Sequence, residues 1–219
     1  MKGSNGAKST AGEIYGFIKE RVIDGAFPAG MRLTEDGLAL EFGTSRTPVR
    51  EAMRLLVSDG FLHFKPNSGT FVRHWTVDEL RDIFDLRLLL ESEIANLAAT
   101  HITAEEVVEL QQIQDEIESQ GLDMSEENLT RISALNREFH RLIGQASRNS
   151  RLVGMLTNAI EVPIVQRTFR RYGSMQLQRS FHHHQELIDA FSAHDGMWAR
   201  SVMHCHINSA RQAMIRDTQ

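Results

Sequence analysis

Residues 44–61, TSRTPVREAMRLLVSDGF, restrict the fold of this chain more than any other stretch. Ser45 can cap the first free backbone N–H groups of a helix, and Pro48 falls in the first turn, where a missing N–H costs little. Apolar side chains lie on one face of this predicted helix, and arginines spaced four residues apart lie on another. These arginines are Arg46, Arg50 and Arg54. A short helix divided in this way suits the major groove of DNA, because Arg forms paired bonds to guanine or to phosphate.

Two further helices are predicted before this one. A helix at about 11–24 begins with Thr10 and Glu13, which can form a capping box. Residues 33–45 give a short amphipathic helix with Thr34 as its cap, followed by a tight turn at Gly43. The second of these helices, the turn and the Arg-bearing helix match the helix-turn-helix arrangement.

A β-hairpin is predicted directly after the Arg-bearing helix. Residues 61–74 alternate apolar and polar side chains around Pro-Asn-Ser-Gly, and Gly69 would let the tip approach DNA closely. The alternative is a surface helix that merely carries arginines. The order of helices, proline start and hairpin favours a winged helix-turn-helix DNA-binding domain over residues 1–74.

Composition and charge limit the remaining choices. The 219 residues allow one large domain or two modest ones, and a single cysteine, Cys205, suits a reducing cytoplasm. No apolar run approaches the roughly 20 residues of a membrane span, so we expect no membrane partner. Residues 1–74 carry ten basic and eight acidic side chains, whereas the rest of the chain carries 14 and 21. We therefore expect the first domain to bind double-stranded DNA and the second not to.

Residues 75–219 contain helix signals only, which makes the chain mainly α. Thr76 with Glu79, and Thr103 with Glu106, form two more capping boxes. Pro163 is expected to kink the fourth helix. The predicted helices span about 77–100, 103–120, 125–147, 150–171, 174–193 and 196–217. An all-α bundle of about six helices can bury its own core.

Three histidines fall on the inward faces of this predicted bundle. His184 and His206 each lie eleven residues from Asp195, in the turn that joins the last two helices, so in an antiparallel pair they should face each other roughly 16 Å from the turn. Asn136 and His140 lie four residues apart on the apolar side of the third bundle helix, where both can bind one ion. A single inward histidine is usually a hydrogen-bonded core residue. Three together favour a divalent metal site, with zinc or nickel as the ion.

Arg87 lies in the middle of the inward face of the first bundle helix. A buried guanidinium is costly without a partner. Either it pairs with an internal carboxylate such as Glu91, or it binds an anionic ligand through its fork of donors. A metal and an inward arginine in one cavity would select small organic acids.

The segments SRTPVREAMRLLVSDGF and IDGAFPAGMRLTEDGLALEFG resemble the DNA-binding domain of GntR-type bacterial transcription regulators. In that family the DNA contacts come from the start of the recognition helix and from the wing. The resemblance implies that these contacts are made here by Ser45, Arg46, Thr47, Arg50 and Gly69. Members are typically homodimers that bind short palindromic operators, and we expect the same here.

The second half resembles the all-helical FCD-type ligand-binding domain of the FadR subgroup, which serves effector binding and dimerisation. The matching segments are DIFDLRLLLE (82–91), NREFH (136–140), HQELIDAF (184–191) and MHCHI (203–207). The resemblance implies the metal ligands Asn136, His140, His184 and His206, and Asn136 stands where the family commonly has Asp. It also implies a carboxylic-acid effector, which Arg87 would bind.

The sequence thus predicts a cytoplasmic transcriptional regulator rather than an enzyme, and we expect a repressor. A small carboxylic acid at the metal site would control its affinity for the operator. One alternative is a regulator for which the ion itself is the signal. A metal-dependent hydrolase is the other, since three histidines with an open position also describe hydrolytic zinc. Against the hydrolase, the inward faces offer no evident general base, and an enzyme has no use for a winged domain.

Overall fold

The computed structural model of the chain describes residues 10–159, 168 and 171–216. The chain forms two compact units, Met1–His74 and Trp75–Gln219. Among the described helices, none combines the length and the apolar character that crossing a membrane requires.

The first unit is a winged helix-turn-helix, as predicted. Its helices are α1 (Ala11–Ile23), α2 (Glu35–Glu41) and α3 (Arg46–Ser58). Its strands are β1 (Arg32–Leu33), β2 (Leu62–Lys65) and β3 (Gly69–Val72), and they form an antiparallel sheet in the order β1-β3-β2. Strand β1 was not predicted from the sequence, because two residues are too few to show a periodic pattern.

Local capping explains where the helices of the first unit begin. Thr10 and Glu13 form the predicted capping box of α1, and the Thr34 hydroxyl accepts from Gly37 N at the start of α2. Ser45 occupies the N-cap of α3, but its side chain makes no capping hydrogen bond, contrary to our expectation. Ser45 therefore marks the start of α3 only by its position. Its hydroxyl is exposed and does not cap the helix.

The apolar face of α3 anchors the first unit. Its buried residues pack against α1 and against the end of the turn that leads into β2. The most completely buried side chains of this core are Ile14, Ile18, Val49, Ala52, Leu56 and Phe61. The opposite face of α3 is left in solvent, which is the division that the sequence predicted.

The second unit is all helical in its described part, as predicted. Its helices are α4 (Val77–His101), α5 (Ala104–Ser119), α6 (Glu126–Ala146), α7 (Ser150–Ala159), α8 (Ser174–Ser192) and α9 (Gly196–Arg216). The capping boxes at Thr76 and Thr103 are confirmed. Pro163 and the kink predicted there lie outside the described residues.

The long helix α4 runs through the centre of the second unit. It packs along α9 and also contacts α6, α7 and α8, while α5 packs between α6 and α8. The start of α9 approaches α4 closely, since a Cβ at Gly196 would lie 2.9 Å from the backbone oxygen of Asn96. This packing directs one face of α4, α5, α6, α8 and α9 toward a shared core, and polar side chains on those faces can meet there.

Candidate functional site

The predicted DNA-reading surface lies on the exposed side of α3. Ser45, Arg46, Thr47 and Arg50 are all exposed at the first turns of the helix. Val49, Ala52, Met53 and Leu56 are buried on the opposite side. The arginines therefore lie on a rigid helix that is held by its own core face.

Acidic residues from α2 hold two of the three arginines. The carboxylate of Glu35 accepts from Arg50 Nε at 2.9 Å and from Arg50 Nη2 at 2.7 Å. Asp36, the next residue, forms an ion pair with Arg46. The hydrogen bond from Arg50 lowers the pKa of Glu35, and the same bond raises the pKa of Arg50. Neither pair was predicted from the sequence, although two acidic residues in the first turn of α2 were the signal for them.

Gly69 lies beside the wing turn and not at its tip. The turn itself comprises residues 66–68, and Gly69 is the first residue of β3, paired with Lys65. Its φ of 110° is a conformation that favours glycine. A Cβ at this position would lie 3.0 Å from Arg32 Nε, so the missing side chain leaves room for a guanidinium beside the wing turn.

Three histidines from three helices come together in the second unit. His140 (α6), His184 (α8) and His206 (α9) each offer a ring nitrogen, and these three atoms lie within 4.8 Å of one another. His140 Nε2 and His206 Nε2 are 3.3 Å apart. Two nitrogens bound tetrahedrally to one zinc ion at about 2.0–2.1 Å lie about 3.3–3.4 Å apart. The spacing therefore fits a shared divalent ion.

Two buried side chains determine which nitrogens of these rings can bind an ion. The carboxylate of Glu91 lies 3.1 Å from His140 Nδ1 and can only accept, so this Nδ1 carries a proton. Gln114 Oε1 lies 3.0 Å from His184 Nδ1, while Gln114 Nε2 donates to Glu118 and to the backbone oxygen of Phe181. His184 Nδ1 must therefore donate as well. With the proton on Nδ1, the neutral form of each ring presents an unprotonated Nε2 away from these partners, as a metal ligand requires.

Several buried polar atoms near the ring cluster lack a partner. In the part of the chain that the structure describes, no group forms a hydrogen bond with His184 Nε2, His206 Nδ1 or Asn136 Oδ1. Asn136 is buried one helical turn before His140, on the same side of α6. Because buried polar atoms are rarely left unpaired, the acceptors His184 Nε2 and Asn136 Oδ1 fit a site built for a cation, to which His206 would offer its Nε2.

Burial governs protonation in this cluster. Desolvation lowers the pKa of His184 and His206 well below the usual value, and the neighbouring imidazoles lower it further. Both rings are therefore neutral at pH 7 and ready to bind a metal ion. Burial raises the pKa of Glu91, but Arg87 and His140 outweigh that effect and leave the pKa at about 2.

Arg87 is buried and paired with Glu91. Its Nε donates to Glu91 Oε1 at 2.7 Å, and its guanidinium lies over the ring of Phe84. Of the two alternatives for this arginine, the structure thus contains the internal pair. Glu91 accepts from His140 through its other oxygen, so one carboxylate joins Arg87 to the histidine cluster.

Three contributors to this centre were not recognised as such in the sequence. Glu91 was named only as a partner for Arg87, and Gln114 was not named. Gln114 lies between Leu110 and Ile117 on the buried side of α5, and a polar residue on that stripe was the signal that could have identified it. His183 was placed off the inward face, but it is half buried and its ring centroid lies 5.8 Å from that of His206.

Together the two units define a DNA-binding protein with a separate helical domain that carries a candidate metal centre. Comparison with known families agrees with this class. Residues 10–72 match "Bacterial regulatory proteins, gntR family", and residues 82–209 match the FCD domain. The chain belongs to the GntR family of bacterial transcriptional regulators, in the FadR-like subgroup that carries an FCD domain. Regulators of this family bind DNA operators and commonly form dimers.

Relatives along the whole chain are also regulators. The uncharacterized HTH-type transcriptional regulator YdhC of Bacillus subtilis is 28% identical over 196 residues, which cover 90% of this chain and 87% of that protein. A probable D-xylose utilization operon transcriptional repressor of Paenarthrobacter nicotinovorans is 28% identical over 201 residues, covering 91% and 86%. The solved structure of Escherichia coli McbR/YncC has a TM-score of 0.72 at 23% identity, covering 96% of this chain and 99% of that one. This last likeness concerns the fold alone.

Proposed function

We propose that the protein is a homodimeric repressor of a short palindromic operator. A small carboxylic acid, bound at a divalent metal ion, would control its affinity for this operator. The observation that carries the proposal is the meeting of His140, His184 and His206 within 4.8 Å. Glu91 and Gln114 orient two of these rings. A cluster needed only for core packing would not require fixed tautomers and unpartnered acceptors in the same place.

Asn136, His140, His184 and His206 would hold the ion, and zinc or nickel suits this set of nitrogen and oxygen donors. When bound, the ion supplies an electron-poor position at which a carboxylate can bind. All four side chains would bind the ion in their neutral forms, so they would leave its double positive charge uncompensated. A buried dication in that state favours an anionic ligand from outside, and a carboxylate effector meets this requirement.

Arg87 would supply the second contact to such an effector. It is buried and lies next to the histidine cluster through their common partner Glu91. Charge-assisted bonds from a guanidinium to a carboxylate are among the strong hydrogen bonds in proteins. An acid that reaches both the ion and Arg87 would therefore be preferred over an alcohol or an amine of the same size.

On the DNA side, the exposed start of α3 would lie in adjacent major-groove half-sites of the operator, where its arginines contact bases or phosphate. Ser45, Thr47 and the wing at Gly69 would contact the backbone and position the helix. A regulatory coupling between effector and operator is typically worth about 1–3 kcal/mol, which changes operator affinity by about 5- to 150-fold. The assignment as a repressor is supported by the Paenarthrobacter relative, which is a probable transcriptional repressor.

The metal and effector test is a thermal-shift screen of small carboxylic acids on zinc-loaded, nickel-loaded and chelator-treated protein. An acid present at 100 times its dissociation constant should stabilise by about 2.7 kcal/mol, or roughly 5–10 °C. The shift should vanish in the chelator-treated protein and in His184→Ala. His182→Ala is the matched control, because this neighbouring ring is exposed and should keep the shift.

The same screen separates the alternatives. If metal alone releases the operator and no acid adds to the effect, the ion itself is the signal; the neutral Asn136 would suit such a weaker, supply-sensitive site. Turnover of a substrate would instead indicate the hydrolase. In the structure Glu91 is already engaged by Arg87 and His140, so it is poorly placed to act as a general base.

DNA reading is tested by Arg50→Ala in a gel-shift assay on a duplex selected by the wild-type protein from random sequence. We expect the preference for this duplex over a scrambled one to be lost while the melting temperature is retained. Arg131→Ala serves as a control for charge, since this exposed arginine lies in the second unit. An unchanged preference in Arg50→Ala would contradict the proposed reading role.

A further inference from the structure

The contact between Glu35 and Arg50 uses only one edge of the guanidinium. Glu35 accepts from Nε and from one Nη2 hydrogen, at 2.9 and 2.7 Å. A guanidinium has five N–H groups, so the edge formed by Nη1 and the second Nη2 hydrogen is not used by Glu35. That edge carries two parallel donors, which is the arrangement that guanine O6 and N7 accept in the major groove.

The Glu35 carboxylate is fixed by its position at the start of α2. Glu35 is the first residue of α2, directly after the cap Thr34, and buried Leu38 anchors the helix. The Glu35 side chain is 32% exposed, whereas that of Arg50 is 51% exposed. Glu35, on a capped and anchored helix, therefore holds the flexible and exposed Arg50 through two hydrogen bonds. Holding it before DNA arrives reduces the side-chain freedom that binding must remove.

We propose that Glu35 is a positioning residue for specificity, which orients Arg50 so that its outer edge reads one guanine in each half-site. This inference rests on the proposed DNA-binding function. Glu35 does not touch the base. It repels phosphate and so weakens binding to any DNA, but it improves the choice among sequences because Arg50 presents one edge in one orientation.

The neighbouring ion pair, between Asp36 and Arg46, is more exposed than the pair between Glu35 and Arg50. Asp36 and Arg46 are both about two-thirds exposed, at 67% and 63%. The closest atoms of this ion pair are Arg46 Nε and Asp36 Oδ1, whereas Glu35 accepts from both Nε and Nη2 of Arg50. Arg46 is therefore less restricted, and we assign it to phosphate and Arg50 to the base.

The test compares Glu35→Gln with Glu41→Gln. Both variants remove one negative charge from α2, but Glu41 pairs with Arg21 at 3.6 Å and not with an arginine of α3. The wild-type protein first selects a duplex from random double-stranded DNA, and each variant is then titrated with this duplex and with a scrambled one. In Glu35→Gln the ratio of the two affinities should fall by about tenfold, while affinity for scrambled DNA does not fall. Glu41→Gln should retain the wild-type ratio.

A double mutant separates positioning from a general effect of charge. In an Arg50→Ala background, Glu35→Gln should have no further effect on the ratio, because Glu35 acts through Arg50. Replacing each guanine of the selected half-site in turn should identify one base whose loss matters to wild type and no longer matters to Glu35→Gln. Should this variant unfold, Glu35→Asp carries the same expectation, since its shorter side chain keeps the charge but cannot reach both nitrogens.

The possible failures are distinguishable. A wild-type protein that selects no sequence would refute the DNA-binding function itself. A wild-type protein that selects a sequence, with an unchanged or improved ratio in Glu35→Gln, would overturn only the role of Glu35. A fall in the ratio that persists in the Arg50→Ala background would also overturn it, because the effect would then not pass through Arg50.

Discussion

Acidification should destabilise the metal-free protein more steeply than exposed histidines would allow. His184 and His206 are buried, and desolvation lowers the pKa of both well below the ordinary value of about 6.5. Between the lowered value and 6.5, the unfolded chain binds a proton at each of these positions and the folded protein does not. Stability therefore rises with pH in this window and is lost as the pH falls below about 6.5.

The magnitude follows from the number of groups. Each fully displaced proton changes the free energy of unfolding by about 1.4 kcal/mol per pH unit, so two histidines give a slope of about 2.7 kcal/mol per unit. For a chain of this size that corresponds to roughly 5–10 °C in melting temperature per pH unit. Glu91 does not contribute here. Its pKa falls from 4.5 to about 2, so its stabilising effect is lost only below about pH 4.5.

The assay is thermal unfolding of chelator-treated protein, followed by circular dichroism at a series of pH values between about 6.5 and 5. In His206→Asn the slope should fall by about 1.4 kcal/mol per pH unit, the share of one buried histidine, whatever the absolute stability of the variant. His182→Asn is the matched control and should keep the full slope, since this ring is exposed. A His206→Asn slope equal to that of wild type would refute the reasoning, because burial of this imidazole would then not be the cause.

Three further results are expected at the same centre. Glu91→Gln should cost about 3–5 kcal/mol in the free energy of unfolding, because it leaves Arg87 buried without its counter-charge; denaturant titration measures this, and a loss below 1 kcal/mol would contradict it. Gln114→Ala should weaken zinc affinity about 10- to 100-fold in a competition titration, because His184 loses its acceptor, whereas unchanged affinity would mean that Gln114 does not orient the ring. Chelation should lower the melting temperature of wild type and leave that of a variant lacking His140 and His184 unaffected.

Much of this fold was accessible from local sequence because its signals are local. Capping boxes need only four residues, so Thr76 with Glu79 predicted the start of α4 correctly. The facing pair in α8 and α9 was accessible for a related reason, since equal distances from a tight turn give equal heights along two antiparallel helices. In the structure the ring centroids of His184 and His206 lie 4.9 Å apart.

The remaining features depend on the rotation of one helix against another, which periodicity determines only approximately. The α2 acid Glu35 meets Arg50 of α3 across 15 residues of sequence, and Gln114 meets His184 across 70. The periodicity of apolar residues indicates which face of a helix is buried. It does not indicate which atom of the neighbouring helix an inward polar side chain will contact. The hydroxyl of Ser45 illustrates a second limit, because a residue type that prefers a cap position need not form the bond.

Glu91 makes Arg87 and the histidine cluster parts of one electrostatic unit, and this has a consequence for the proposed effector. The carboxylate is buried and stays ionised because Arg87 and His140 both donate to it. A dication near His140 and an anion near Arg87 would carry opposite charges and would lie near the two ends of that carboxylate's contacts. Each should therefore improve the binding of the other. Coupling between two ligands is reciprocal. The factor by which zinc tightens the acid must therefore equal the factor by which the acid tightens zinc. Glu91→Gln should change both factors equally, and titration calorimetry in both orders of addition measures them; a change in only one would mean that the two ligands are not linked through this residue.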